Sequence, residues 1–326
     1  MRVSILAAVV AGLTACSSSS PTQPGNPPVN PVVGKAGIYV TTVNNGVLVF
    51  PLSASGDIAP TRRIVGASTG LSLPIGVAVD SKGSVYVANR TGSRITVYPL
   101  GADGNVAPTR SLTDTAMKSP QALYIDKADA VFAVTCPNCG NAAGGATGMF
   151  HFANGSNAID YFLRGTNTGM TVPVGVGVDG SNNIFIGNAF GGSVNVYAPG
   201  ASGNTLPIRS FNPGASQNVQ SLTVSGSTIV LSSPSSGILT YLTTSANSSA
   251  AATIGSSATF PLSYPGGVYL DTSVPQPVLY VVDFAGNAIY VAQTAGAAPN
   301  LSLQSVATIK GPATGLISPL SITVVR

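Results

Sequence analysis

From Lys35 onward the chain repeats itself about every fifty residues, and self-similarity of that length constrains the fold more than any single motif. The clearest unit reads Leu73-Pro74-Ile75-Gly76-Val77-Ala78-Val79-Asp80, then Ser84 to Asn89, then Ile95-Thr96-Val97-Tyr98, and ends on Pro108-Thr109-Arg110-Ser111-Leu112. Each segment is short, β-branched or aromatic, and bounded by Gly, Asn, Asp or Pro. That pattern marks four strands, A to D, joined by tight turns. The A segment recurs at Pro120, Pro173, Val219, Pro265 and Pro319, which with Pro74 makes six copies spaced by 46, 53, 46, 46 and 54 residues. B segments recur at Val131 to Thr135, Ile184 to Asn188, Ile229 to Ser233 and Leu279 to Asp283.

Register predicts how the repeats close. The first strands are a B (Ile38 to Thr42), a C (Val47 to Phe50) and a D near Arg63 to Val65, with no A before them, whereas the last A, Leu320 to Val325, has no successor. The first blade is therefore expected to borrow its A strand from the far end of the chain. Radial four-stranded units with protected edges form a β-propeller, and six A segments predict six blades. The pattern Pro-x-Gly-Val-Ala-Val-Asp, Val-Tyr-Val-Ala-Asn, Ile-Thr-Val-Tyr resembles the NHL-repeat propellers over about 290 residues, most weakly in the unit that starts at Val219.

The N-terminal segment has a different logic. Arg2 precedes an apolar run from Ile5 to Leu13, too short to span a bilayer and typical of an export signal. Leu13-Thr14-Ala15-Cys16 resembles the lipobox of bacterial lipoproteins, which implies cleavage before Cys16 and acylation of its thiol. Several acyl chains would hold the protein on a membrane without crossing it. By the same resemblance, Ser rather than Asp at position 17 points to the outer membrane of a Gram-negative envelope. Pro21, Pro24, Pro27, Pro28 and Pro31 lie among Ser, Thr, Asn and Gln, a composition that stays solvated and extended. The expected organisation is a signal peptide over 1–15, a lipidated, disordered tether over 16–34 and an all-β propeller over 35–326.

Composition narrows the chemistry. Only 7% of the 326 residues are charged, all ten carboxylates are Asp, and there is a single His, His151. A net charge of +4 from 14 cations is too dilute for a nucleic-acid footprint. Asp80, Asp126, Asp179 and Asp271 end A strands, where Asp caps tight turns through its own backbone, and Asp57 and Asp103 beside Gly in C–D turns read the same way. No set of oxygen ligands for a hard cation is left, so no metal or other cofactor is assigned. His151 falls at a mostly aliphatic C-strand position, shared with Val49, Val97, Val196 and Thr240, and reads as packed and hydrogen-bonded. Cys136-Pro137-Asn138-Cys139 lies in the longest B–C loop. In an exported protein it reads as a local disulfide, with zinc or redox use as the alternatives.

Antiparallel blades place A–B and C–D turns on one face and B–C and D–A loops on the other. On the second face the ends of the B strands and their loops supply Asn89, Arg90, Asn188, Phe190, Asp283 and Phe284, a neutral rim whose Arg and aromatics suit a binding partner. Propeller enzymes similar to gluconolactonases, peptidylglycine lyases and streptogramin lyases use Glu or several His, which this chain lacks, so no catalytic residue is assigned. The expected function is a lipid-anchored envelope module that binds a protein, peptide or glycan. The alternative is a lyase- or lactonase-like enzyme with an unrecognised site.

Overall fold

The computed structural model describes residues 34–44, 46–137, 147–212, 218–234, 260–295 and 302–326, and the backbone alone at 238–243 and 252–254. The expected signal peptide, Cys16, all of the tether but its last residue, and Cys139 fall outside the described residues. Among the described residues no helix is long and apolar enough to cross a membrane.

The strands form six four-stranded antiparallel sheets. Blade 1 joins Pro319–Val325 as its A strand to Gly37–Thr42, Gly46–Phe50 and Arg62–Val65, so the two distant ends of the domain share a sheet as the register predicts. The remaining A strands are Pro74–Val79, Pro120–Ile125, Pro173–Val178, Ser221–Ser225 and Pro265–Asp271, in blades 2 to 6. Alternation along each strand splits its side chains between two neighbours. In blade 1, Ile38 and Val40 pack towards blade 6, and Tyr39 packs towards blade 2. Each of the six junctions has its own apolar cluster, including the one between blades 6 and 1, which makes the propeller a closed ring.

Two backbone devices shape that ring. At the Pro end the A strands converge, because a Cβ on Gly76, Gly175 or Gly267 would meet the neighbouring A strand at 2.9, 2.7 or 2.7 Å. At the outer edge, C–D turns clasp the preceding blade. The Gly104 amide donates to the Arg63 carbonyl at 2.6 Å, and the Gly203 and Gly56 amides donate to Phe162 and Thr308, each at 2.7 Å. Asp103 and Asp57 do not cap their own turns as expected. Asp103 accepts from the Arg63 amide and Asp57 from the Ala313 amide, both at 2.7 Å, so each joins two blades. Asp103 meets the outer strand itself, whereas Asp57 and Asn105 meet the Gly-x-x-Thr-Gly turns that follow such strands, at the amides of Ala313 and Ser68.

Candidate functional site

The A–B turns are built on their Asp residues as the sequence implies. Asp80 Oδ1 accepts from the Lys82 and Ser84 amides, Asp126 Oδ1 from Ala128 and Ala130, and Asp179 Oδ1 from Ser181 and Asn183, all at 2.7–3.0 Å. Asp271 accepts from the Ser273 amide and hydroxyl and pairs with Arg326. Asp129 crosses from blade 3 to blade 2, taking the Ser81 amide at 2.8 Å and its hydroxyl at 2.6 Å, while Lys35 Nζ donates to the Ser81 carbonyl. Burial alone would raise the Asp129 carboxyl, but the two bonds from Ser81, together with the charges of Lys82 and Lys35, hold it below the usual range.

These turns surround the mouth of a central cavity of about 850 Å³, within the usual range for small-molecule sites. It opens at the Asp ends of the A strands, opposite the rim formed by the B–C loops. One residue of each A strand, two before the end of the motif, forms a single layer around the axis. In blade order these are Thr323, Ala78, Tyr124, Gly177, Thr223 and Tyr269. The two tyrosines belong to blades 3 and 6 and face each other across the channel, with a threonine on either side of Tyr269 and Ala78 and Gly177 on either side of Tyr124. The Tyr124 ring packs on Phe132 with centroids 6.1 Å apart, and the space at Gly177 is filled by Val224 of blade 5.

Burial, with smaller contributions from Asp271 and from Tyr124 itself, pushes the Tyr269 phenol up to about 12. Burial and then Asp126 push Tyr124 the same way. Both phenols therefore stay neutral and can donate and accept hydrogen bonds. Among the described residues neither hydroxyl meets a protein partner. The layer occupies one position of the repeat, two residues before the end of each A motif. What hid it was the division of the two tyrosines between repeats 145 residues apart, joined only by the ring.

On the opposite face, the rim residues divide into two groups. Asn89, Asn188 and Asp283 are fully buried. Asn89 Oδ1 accepts from the Ser72 amide at 2.9 Å and Asn188 Oδ1 from Thr171 at 3.1 Å, so each B-strand end holds the D–A loop beside it. Asp283 does the same with three amides, those of Ser263 and Tyr264 at 2.8 Å and Gly286 at 3.1 Å. Arg90 and Phe284 are half-buried, and Phe284 packs on Tyr264 with ring centroids 5.5 Å apart. Phe190 is 60% exposed. These three are the rim groups a partner can reach.

His151 is buried, stacked on Tyr161 at 4.2 Å, edge-on to Phe132 at 4.7 Å, with Nδ1 3.1 Å from Asp160. Burial pulls its pKa down against the opposing pull of Asp160, which leaves a neutral ring in a packed position. Cys136 is disulfide-bonded. No three His, Cys, Asp or Glu side chains come together as a metal site among the described residues.

The Asp271–Arg326 pair makes a pH prediction. Burial would raise the Asp271 carboxyl, but hydrogen bonds from Ser273 and Arg326 more than offset this and lower it. A depressed folded-state value gives stability that is present above the unfolded carboxyl value near ~4 and is lost as pH falls through the folded value. Unfolding free energies from denaturant titrations should therefore fall between about pH 5 and pH 2 more steeply in the parent than in Asp271→Asn. Equal slopes would remove Asp271 as a contributor.

The NHL repeat family profile matches residues 71–98, which hold the A, B and C strands of blade 2. No curated protein matches the chain in sequence. Solved structures with the same fold include a chain of the nidogen/laminin complex, 14% identical with a TM-score of 0.59, covering 88% of this chain and 97% of that one. A protein assigned as a 6-phosphogluconolactonase from Bacteroides fragilis is 14% identical with a TM-score of 0.58, covering 90% and 85%. Virginiamycin B lyase from Staphylococcus aureus is 15% identical with a TM-score of 0.51, covering 79% and 75%. At these identities the likeness is one of fold.

Proposed function

We propose that this chain is a lipid-anchored binding module of the cell envelope that takes its ligand at the mouth of the propeller channel. Propellers of this fold serve both in assemblies and in enzymes, so the choice between the two rests on residues. The observation that carries it is the Tyr124–Tyr269 layer. Two neutral, unpartnered phenols face each other in an open channel, while the Asp80, Asp129, Asp179 and Asp271 carboxylates around the mouth are already committed to turns and blade contacts. Such a site supplies contact area and hydrogen bonds. A general acid or base needs a titratable group within reach of its proton, and no side chain with a free proton to exchange near neutrality converges on the phenols. Arg90, Phe190 and Phe284 on the opposite face are the accessible residues against which the channel is compared.

The test is crosslinking in intact envelopes with three forms of the full chain. These are the parent, a Tyr124→Phe/Tyr269→Phe pair, and a triple Ala variant at Arg90, Phe190 and Phe284, each first checked for an unchanged melt. A ligand held by the parent and the triple variant but lost from the tyrosine pair supports the channel. Loss from the triple variant alone moves the site to the rim, and no specific capture by any form overturns the binding reading.

The anchor is tested separately. Cys16→Ser is expected to abolish incorporation of labelled palmitate and to shift the protein from the membrane to the soluble fraction. Retention of label in that variant would end the lipoprotein proposal. Fractionation of a Gram-negative host should place the parent with the outer membrane, given Ser17.

A further inference from the structure

The channel walls specify what can enter. The layer that holds Tyr124 and Tyr269 also presents Thr223 and Thr323, and among the described residues none of these four hydroxyls has a hydrogen-bond partner. All four lie on half-buried residues that line the cavity. We infer that the channel binds the end of a neutral oligosaccharide, lodged between the two tyrosines and hydrogen-bonded by this ring of hydroxyls. The inference rests on the channel being the ligand site.

Three physical arguments select this class. A hydroxyl donates and accepts alike, so a wall of hydroxyls matches a ligand whose own polar groups do both, as each sugar hydroxyl does. A charged ligand finds no free counter-charge at this layer. Charge lies at the mouth instead, where Lys35 and Lys127 stand among the hydrogen-bonded Asp80, Asp129 and Asp179, and Arg326 pairs with Asp271. The end of a polypeptide would carry its terminal charge into this narrowing channel and lose hydration without compensation. The volume also suits a chain end of a few sugar units, and the two tyrosines, whose rings pack against the junctions of blades 3–4 and 6–1, border it from opposite walls.

The experiment uses the full-length chain in detergent micelles on two arrays, one of neutral and charged glycans and one of peptides, followed by calorimetric titration of the strongest neutral glycan. Neutral glycans are expected to be retained over charged ones. Tyr124→Phe and Tyr269→Phe, which keep the rings and delete one hydroxyl each, should each weaken binding about fivefold, and the pair more than tenfold. Thr323→Val should weaken it by a similar factor, and the Arg90/Phe190/Phe284 triple Ala variant should bind as the parent does. Retention of peptides lost in the tyrosine pair would overturn the sugar assignment while leaving the channel as the site. Glycan binding that survives the tyrosine pair but not the triple variant would overturn the channel itself. Blank arrays would overturn both.

Discussion

Asp283→Ala is expected to cost the fold about 4 kcal/mol, the largest effect of any single side chain on the B–C face. Asp283 is fully buried, and its two oxygens take the amides of Ser263, Tyr264 and Gly286. Truncation leaves three donors without their acceptor around a buried carboxylate, and charge-assisted bonds of this kind are worth about 1.5–3 kcal/mol each before relaxation. Asp283→Asn keeps one acceptor oxygen but turns an amide group towards a backbone N–H. It should recover less than half of the loss. Thermal melts of the two variants check this, and a shift of less than about 3 °C for Asp283→Ala would show that the loop is held by other means. Buried Asn89→Ala, with one amide to lose at the equivalent place in blade 2, should move the melt by a smaller amount.

Gly311→Val is expected to destabilise by about 3 kcal/mol, a drop of roughly 6 °C in melting temperature, through strain and a broken clasp together. Gly311 has φ +134°, and a Cβ there would lie 2.3 Å from Cγ of Asp57. The carboxylate would have to leave the Ala313 amide, and with it the turn whose Gly56 bonds to Thr308 and Lys310 across the junction of blades 6 and 1. Gly104 separates the two causes. Its φ is +71° but nothing lies within 4 Å of its Cβ position, so Gly104→Ala should show only the backbone strain, about 1 kcal/mol. Equal effects at the two glycines would mean that the clasp itself carries no stability.

Much of this fold is legible in the sequence because each repeat carries its own local instructions. Pro-x-Gly opens an A strand, alternation fills two junctions at once, and Asp closes the turn. The split first blade follows from counting segments. The site is less legible because it belongs to the ring and not to a repeat. Tyr124 and Tyr269 look like ordinary strand aromatics until blades 3 and 6 are set opposite each other. The polar ends of the B strands looked like a rim because nothing in the sequence shows that Ser72, Thr171 and Tyr264 fold back to meet them. Asp57 and Asp103 look like turn residues for the same reason. Their partners lie in the preceding blade, and for Asp57 that partner is 256 residues away. Contacts between repeats, unlike contacts within them, leave no local pattern to read.

The shared first blade also sets a timetable. Strands 37–42, 46–50 and 62–65 are among the first to leave the ribosome or the translocation pore, yet their fourth partner, Pro319–Val325, emerges after all the other blades. Until then blade 1 presents a bare inner edge, and blade 6 presents an apolar flank made of residues such as Tyr280 and Ile289. Both are templates for association with other chains. Export through a narrow pore, as proposed above, would keep the chain extended until its last segment has crossed, so that the hazardous interval would be short and fall on the far side. A ring closed this way commits to its structure in one late step, when its last strand reaches the first blade.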